Sequence, residues 1–301
     1  MNANSEILVA VYTLVYNHES YLRDYFEGVI SQKTNFRFVA VIHDDNSQDG
    51  SVSIIKEYEK KYPDIIKPIY DHVNQWSKAD GSLYRIMDEA IASTGARYIA
   101  MCEGDDYWTD PYKLQKQVDF METHPEYIAC FHNAIVRSGD NRRLFNSLYE
   151  NREHTAIDII ERHWFISTQT LMYRYIPMTL SKWMGGVRND DYLLELLLAK
   201  QGKFYYMDDV MAVYRLEGQG ISVNMNSNKI KMYNDLIFLL SNMKKEYDGL
   251  YADSFDKAIH GYEKDKREYE KEVYYATHPI ARAFRLKTYK RMVKKWLKRL
   301  V

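Results

Sequence analysis

Short runs of β-branched and aromatic residues alternate with amphipathic stretches over the first third of the chain, a pattern that predicts parallel strands joined by crossover helices. Ile7 to Tyr12 reads as the first strand and Tyr21 to Ser31 as the helix behind it. Phe38 to His43 reads as the second strand, followed by a helix from about Gly50 to Tyr62 that stops before Pro63. Ile65 to Tyr70, a helix over Tyr84 to Ser93 stopped by Gly95, and a strand over Tyr98 to Cys102 complete a βαβαβαβ order. A further helix is expected to start near Pro111 with Asp110 as its N-cap. The second half is less regular, with strand-like Thr168 to Tyr173, a helix from about Asp191 to Lys200 and strand-like Phe204 to Met207. After Ser222 the chain turns helical and highly charged, and no internal repeat or low-complexity linker interrupts it.

Composition narrows the classes. With 46% hydrophobic and 14% aromatic side chains in 301 residues, the chain can build a large core, which excludes intrinsic disorder for most of it. A net charge of -1 argues against a nucleic-acid partner. Cys102 and Cys130 sit in apolar segments without metal-type spacing and read as buried thiols of a reducing compartment. No apolar run approaches the roughly 20 residues of a membrane span, and the polar start Met1-Asn2-Ala3-Asn4 does not read as a signal peptide. The expected location is the cytoplasm, with peripheral attachment to the cytoplasmic membrane face as an option. That option comes from the last segment: Ala281 to Val301 carries nine Lys or Arg and no acid. Its apolar residues, Trp296 among them, recur at three and four, as in a helix lying on an anionic membrane surface. A helix packed on the rest of the chain with a solvated basic face is the plainer alternative, and binding of a polyanion is a third.

In open parallel sheets, ligands collect beyond the carboxyl ends of the strands. Three polar clusters fall there: Tyr16-Asn17-His18-Glu19, Asp44-Asp45-Asn46-Ser47 and Glu103-Gly104-Asp105-Asp106. Carboxylates crowded as in the third repel one another unless a cation neutralises them, and Mg2+ or Mn2+ with a diphosphate would do so. An acidic turn ahead of a helix explains the same residues without a metal.

The motifs resemble those of family 2 glycosyltransferases over about residues 5 to 222. Val9 to Glu19 is similar to the family's first strand and loop, with Tyr16-Asn17 at its Tyr-Asn pair and Leu14-Val15 in place of the usual Pro-Thr. Asp44-Asp45-Asn46-Ser47-Gln48-Asp49-Gly50 resembles the D-D-x-S-x-D-G signature, and Glu103-Gly104-Asp105-Asp106, followed by Asp110-Pro111 and Lys113-Leu114, resembles the D-x-D-D segment. Arg188-Asn189-Asp190-Asp191-Tyr192 resembles the E-D motif with Asp190 for Glu, and Tyr214 to Ser222 the closing Y-R-x-H-x-G-x-x-S segment with Glu217 for His.

The resemblance implies a GT-A fold, an α/β and mostly parallel mixed sheet flanked by helices, over residues 1–222. About 1–110 would form the nucleotide half and 111–222 the acceptor half, with a helical region over 223–301. It implies transfer of a sugar from a nucleotide diphosphate, UDP first, to a hydroxyl of a glycan or glycolipid. Tyr16 would stack on the base, Asp45 would accept its ring N–H, and Glu19 belongs to the same donor-binding loop, while Asp44 would be structural. Asp105 would face ribose and metal, Asp106 would be the principal ligand of Mn2+ or Mg2+, and Glu217 could replace the family's His as a third. Asp191 would be the general base, beside Asp190, because an acceptor hydroxyl must lose its proton as it attacks. A helix start whose acids favour the macrodipole accounts for the same pair without catalysis.

Growing charge on a leaving diphosphate calls for cations, and Lys78 and Arg85 around the Asn74 to Gly81 loop are candidates. Arg215 either meets donor phosphates or ties down a loop. Trp164 and Thr168 precede a strand on the expected acceptor side. Two rival readings remain: a sugar nucleotidyltransferase, which would want a Gly-rich phosphate loop where Leu14-Val15-Tyr16-Asn17 stands, and an inactive membrane-associated binding protein, since Glu103, Asp190 and Glu217 depart from the family pattern.

Overall fold

The structure is a computed structural model that describes residues 6–147, 152–162, 164–178, 180–216 and 228–278. The chain divides into two units, Met1–Val223 and Asn224–Val301. In the first unit the leading elements follow the alternation of the sequence: β1 (Ile7–Val15), α1 (Leu22–Ile30), β2 (Arg37–Asp44), α2 (Ser51–Lys61), β3 (Ile66–Tyr70), α3 (Ser82–Thr94) and β4 (Tyr98–Met101). Their four strands pair in parallel in the order β3-β2-β1-β4. From Phe38 onward every residue of β2 is buried, as in a parallel strand covered on both faces, which explains its continuous apolar run. Leu22, Tyr25, Phe26 and Val29 give α1 one buried stripe at three- and four-residue spacing. The Phe26 ring stacks on Tyr58 of α2 with centroids 4.1 Å apart.

Then come β5 (Tyr107–Trp108), α4 (Lys113–Thr123), β6 (Tyr127–Ser138), β7 (Asn141–Leu144), β8 (Glu153–His154), α5 (Ala156–Glu161), β9 (Met172–Arg174), α6 (Asp190–Ala199) and β10 (Lys203–Arg215). They extend the same sheet, ten-stranded in all, through β4-β9-β6-β10-β5, with β7 beside β6 and β8 beside β10. β9 is antiparallel to β4 and β6, whereas β6 and β10 are parallel, so the sheet is mixed. A Cβ on Gly28 would stand 2.7 Å from the Trp108 carbonyl oxygen, so α1 lies directly on the β5 backbone.

Three expectations need correction. Thr168–Thr170 is a 3-10 turn and only Met172–Arg174 is strand. Strand character does not stop at Met207: β10 runs to Arg215 through register shifts between Met207 and Ala212 that accommodate the acids Asp208 and Asp209. α4 begins at Lys113 rather than near Pro111, because the Asp110 carboxylate accepts the Tyr112 N–H at 2.8 Å and pairs with Lys116. Both cysteines are free and buried.

The second unit holds α7 (Lys229–Glu246) and α8 (Ala252–Thr277). Leu236, Leu239, Leu240 and Met243 of α7 and Phe255 of α8 are buried, the Tyr247 ring between the helices meets Phe255 edge-on with centroids 5.1 Å apart, and Lys244 pairs with Asp256 at 2.6 Å. No helix among the described residues is long and apolar enough to cross a membrane. The basic segment 281–301 lies outside the described residues.

Candidate active site

The parallel strands end in step. Val15 stands opposite Asp44, Asp44 opposite Tyr70, and Tyr12 opposite Met101. The residues that follow each strand therefore share one carboxyl edge, around the β1–β4 neighbourhood where strand order reverses.

At the β1–β2 end, two loops clasp one another. Asn17, at φ 57°, donates its N–H to Ser47 Oγ and accepts the Gln48 N–H. The Glu19 carboxylate accepts the Gly50 N–H at 2.9 Å, and the Glu19 N–H donates to Asp49. Glu19 therefore shapes the loop with the carboxylate assigned to the donor. The clasp leaves Tyr16 47% exposed at the edge, open for stacking. Asp44 is buried and accepts the Ser47 N–H at 3.0 Å through Oδ1.

Asp45 is buried, and its two oxygens accept the N–H groups of Gln75 (2.5 Å) and Trp76 (3.1 Å) from the loop after β3. Its remaining lone pairs are what a base could use. His43 Nε2 bonds Asp71 at 2.7 Å, and one ligand atom each from His43, Asp45 and Asp71 falls within 4.8 Å of the others. This trio was not singled out from the sequence. The available signal was period-two spacing of His43 and Asp45 at the end of one strand, with Asp71 directly after the next.

The acidic loop after β4 is held by backbone bonds from Cys102 N–H to Tyr12 and Gly104 N–H to Leu14, both 3.1 Å. Asp106 is buried and accepts the Arg215 N–H at 2.8 Å. Burial first, then the Asp105 charge, pushes the Asp106 carboxyl well above the usual carboxylate range. Glu103 moves the same way, by burial, Asp105 and Asp190. The Arg215 guanidinium donates to the Asp105 carbonyl and to Asp24, and lies 4.3 Å over the Tyr107 ring. Two of its N–H groups thereby tie the loop after β4 to α1. Glu217 lies outside the described residues.

Asp190 and Asp191 open α6. The Asp191 N–H donates to Asp190 Oδ1, the Tyr192 N–H donates to Asp191 Oδ1 at 2.7 Å, and the Tyr84 hydroxyl offsets part of the upward push that burial gives the Asp190 carboxyl. Burial, then the Asp190 charge, raises the Asp191 carboxyl to about 6. One turn further, Glu195 is buried in the same helix and is pushed up by burial and by Asp191. Sequence reasoning passed over Glu195, an acid at i+4 inside an apolar run.

The remaining candidates are dispersed. Lys78 donates to Gln75 Oε1 and Arg85 to the Asp80 carbonyl, both exposed. Trp164 is 48% exposed with φ 69°. Thr168 opens the turn whose Gln169 carbonyl accepts the Trp108 indole N–H at 2.9 Å. Beneath the acidic loop, buried Lys113 lies 4.2 Å over the Trp108 ring and donates to Gln117.

The family model of Glycosyl transferase family 2 matches residues 10–182, and the chain belongs to that family. An uncharacterized protein of Mycobacterium tuberculosis is 33% identical over 215 residues, 71% of this chain and 60% of its own length. The chain thus spans about 60% of the length of that relative. The putative teichuronic acid biosynthesis glycosyltransferase TuaG of Bacillus subtilis is 28% identical over 223 residues, 73% of this chain and 84% of its own. Among solved structures, S. aureus TarS 1-349 in complex with UDP matches with a TM-score of 0.56 at 14% identity, over 88% of this chain and 92% of its own. The mannosyltransferase PcManGT of Pyrobaculum calidifontis in complex with GDP-Man and Mn2+ matches with a TM-score of 0.56 at 14% identity, over 85% and 68%. Likeness at this identity establishes the fold: the mixed, mostly parallel sheet flanked by helices is the GT-A fold.

Proposed function

We propose that the chain transfers a hexose from a nucleoside diphosphate donor, UDP first, to a hydroxyl of a glycan or lipid-linked glycan of surface polysaccharide, with inversion at the anomeric carbon. The observation that carries the reading is that the parallel strands end in step, so that Asp45 and the acidic run Glu103 to Asp106 follow them at one carboxyl edge of a family 2 glycosyltransferase chain. A metal-type acidic loop at that edge, with a base-type acid pair whose charges act on Glu103, suits a displacement in which diphosphate leaves as a hydroxyl attacks. UDP and GDP-Man in the fold neighbours and the teichuronic acid description of TuaG support the donor and acceptor classes.

Glu103, Asp105 and Asp106 bring three carboxylates into one loop, and burial and crowding raise two of them, which suits a hard divalent cation such as Mn2+ or Mg2+ shared with donor phosphates; among the described residues only His43, Asp45 and Asp71 bring three ligand atoms within 4.8 Å of one another. When bound, that ion would neutralise the charge that grows on the leaving diphosphate. Tyr16 presents its ring to the base, and Asp45 keeps lone pairs for the ring N–H. Asp191, with its carboxyl near 6, is ionised at neutral pH yet basic enough to take the hydroxyl proton. The acceptor oxygen then bonds the anomeric carbon as that carbon's bond to the phosphate oxygen breaks. A lipid-linked acceptor accords with the basic side chains of 281–301, which would favour an anionic membrane surface.

The test is incubation with Mn2+ and a panel of UDP-, GDP- and dTDP-sugars. Free sugar and nucleoside diphosphate are expected from at least one donor, and NMR of a glycoside product reports inversion. Asp106→Ala should lose both turnover and metal-dependent nucleotide binding, whereas Asp191→Asn should lose turnover and keep binding. Sugar phosphate as the product, or full turnover in both variants, would overturn the reading.

A further inference from the structure

A small, open-mouthed cleft of about 20 Å3 lies between the loop after β3 and the segment leading into α6, and Gln75, Trp76, Tyr84, Val187 and Arg188 are among its lining residues. Its two walls reach the two ends of the site. Gln75 and Trp76 donate their N–H groups to Asp45, and the Asp190 charge helps push the Tyr84 hydroxyl up. The walls meet backbone to backbone, since a Cβ on Gly185 would lie 2.8 Å from the Gly81 nitrogen. Across this cleft the Arg188 guanidinium lies 4.7 Å from the centre of the Trp76 ring.

Arg188 differs from the other cations near the site. Lys78, Arg85 and Arg215 donate to Gln75, Asp80 and Asp24 respectively. Among the described residues no carboxylate or carbonyl claims the Arg188 donors. A guanidinium laid against an indole keeps its N–H edge free and loses less freedom when it forks onto two oxygens. On the donor reading above, the stretch between Asp45 and the acid pair is where diphosphate and sugar must lie.

We propose that Arg188, held over Trp76, grips a pair of anionic oxygens of the sugar nucleotide, borne either by the diphosphate or by a carboxylate on an acidic sugar. This rests on the donor reading of the same site and adds a specificity-determining residue to it. The position is exposed, so its side chain can be changed with little risk to the fold.

The experiment is calorimetric titration of the full chain with Mn2+ and UDP, GDP or dTDP, then with the glucose and glucuronic acid conjugates of whichever nucleotide binds. Arg188→Ala should weaken the interaction tenfold or more, and Arg188→Lys should recover part of it. An equal loss for all three ligands assigns the grip to the diphosphate; a loss confined to the glucuronic acid conjugate assigns it to the sugar. Trp76→Leu, which keeps the backbone bond to Asp45, should show a smaller loss of the same pattern. Unchanged affinity of Arg188→Ala for every ligand that the wild type binds overturns the proposal and leaves the donor reading standing. If the wild type binds no nucleoside diphosphate, the donor reading falls and the proposal falls with it.

Discussion

The main-chain N–H of Arg215 donates to Asp106 Oδ1 over 2.8 Å, joining the end of β10 to the acidic loop that follows β4. The side chain of the same residue closes the joint from the other side, through the Asp105 carbonyl, Asp24 and the Tyr107 ring. Asp106 is thus aimed from a residue far along the chain.

Arg215→Leu keeps the main-chain bond and removes the fork. With charge-assisted bonds and a ring contact gone, folding stability should fall by about 1–3 kcal/mol. Metal-dependent nucleotide binding should weaken as well, because the loop loses its brace. Arg215→Lys should rescue little, since an ammonium cannot span both acceptors. Urea denaturation and a nucleotide titration with Mn2+ read the two effects; wild-type nucleotide affinity in Arg215→Leu would show that Asp106 needs no such brace.

Asp191 sets the expected pH profile. Burial and then the Asp190 charge lift its carboxyl to about 6, and a base must be ionised to accept a proton. Below about pH 6, kcat/KM should drop tenfold per unit, with a plateau above it. Asp190→Asn removes the second cause of the upward shift, so the acid limb should move to lower pH. A limb that stays in place in Asp190→Asn would mean that another group controls it.

The leading half was legible because its apolar runs are long, bounded by Pro and Gly, and buried on both faces. β6 escaped notice because His132 and Asn133 interrupt its apolar run. Both are buried in place, Asn133 by exchanging bonds with the Asn146 backbone, a partner visible only after folding. β10 was cut short for a related reason, since Asp208 and Asp209 look like a strand end and pair instead with Arg152 and Lys116. In the site, the loops that directly follow strands could be found by position alone. Asp71 on His43 and Arg188 on Trp76 are contacts between distant segments, and no spacing announces them.

Gly185 is where two of those segments touch. A methyl group there would come within 2.7 Å of the Asp80 carbonyl carbon and 2.8 Å of the Gly81 nitrogen, both backbone atoms with little room to yield. Gly185→Ala should cost about 1–3 kcal/mol or push the loop after β3 outward. Because that loop is bonded to Asp45, a displaced loop would also lower nucleotide affinity. The variant's melting temperature and nucleotide affinity decide; wild-type values for both would mean that the two backbones part freely.

Lys113 gives a test independent of catalysis. Its amine is buried, donates to Gln117 Oε1 at 2.7 Å, and is pushed down to about 7 by burial. In the unfolded chain the same amine keeps an ordinary value near 10.4. Between these limits the unfolded state holds a proton that the folded state lacks, so this group makes stability rise with pH by about 1.4 kcal/mol per unit. Below about 7 both states are charged, and the full penalty of burying the cation is present; above the unfolded value it vanishes. Lys113→Met carries no such proton. Its unfolding free energy, measured in urea at intervals from pH 6 to pH 10, should lack the rise that the wild type shows between 7 and 10, and the two curves should run parallel below 7. Curves parallel across the whole range would mean that Lys113 stays charged in its buried position against the Trp108 ring.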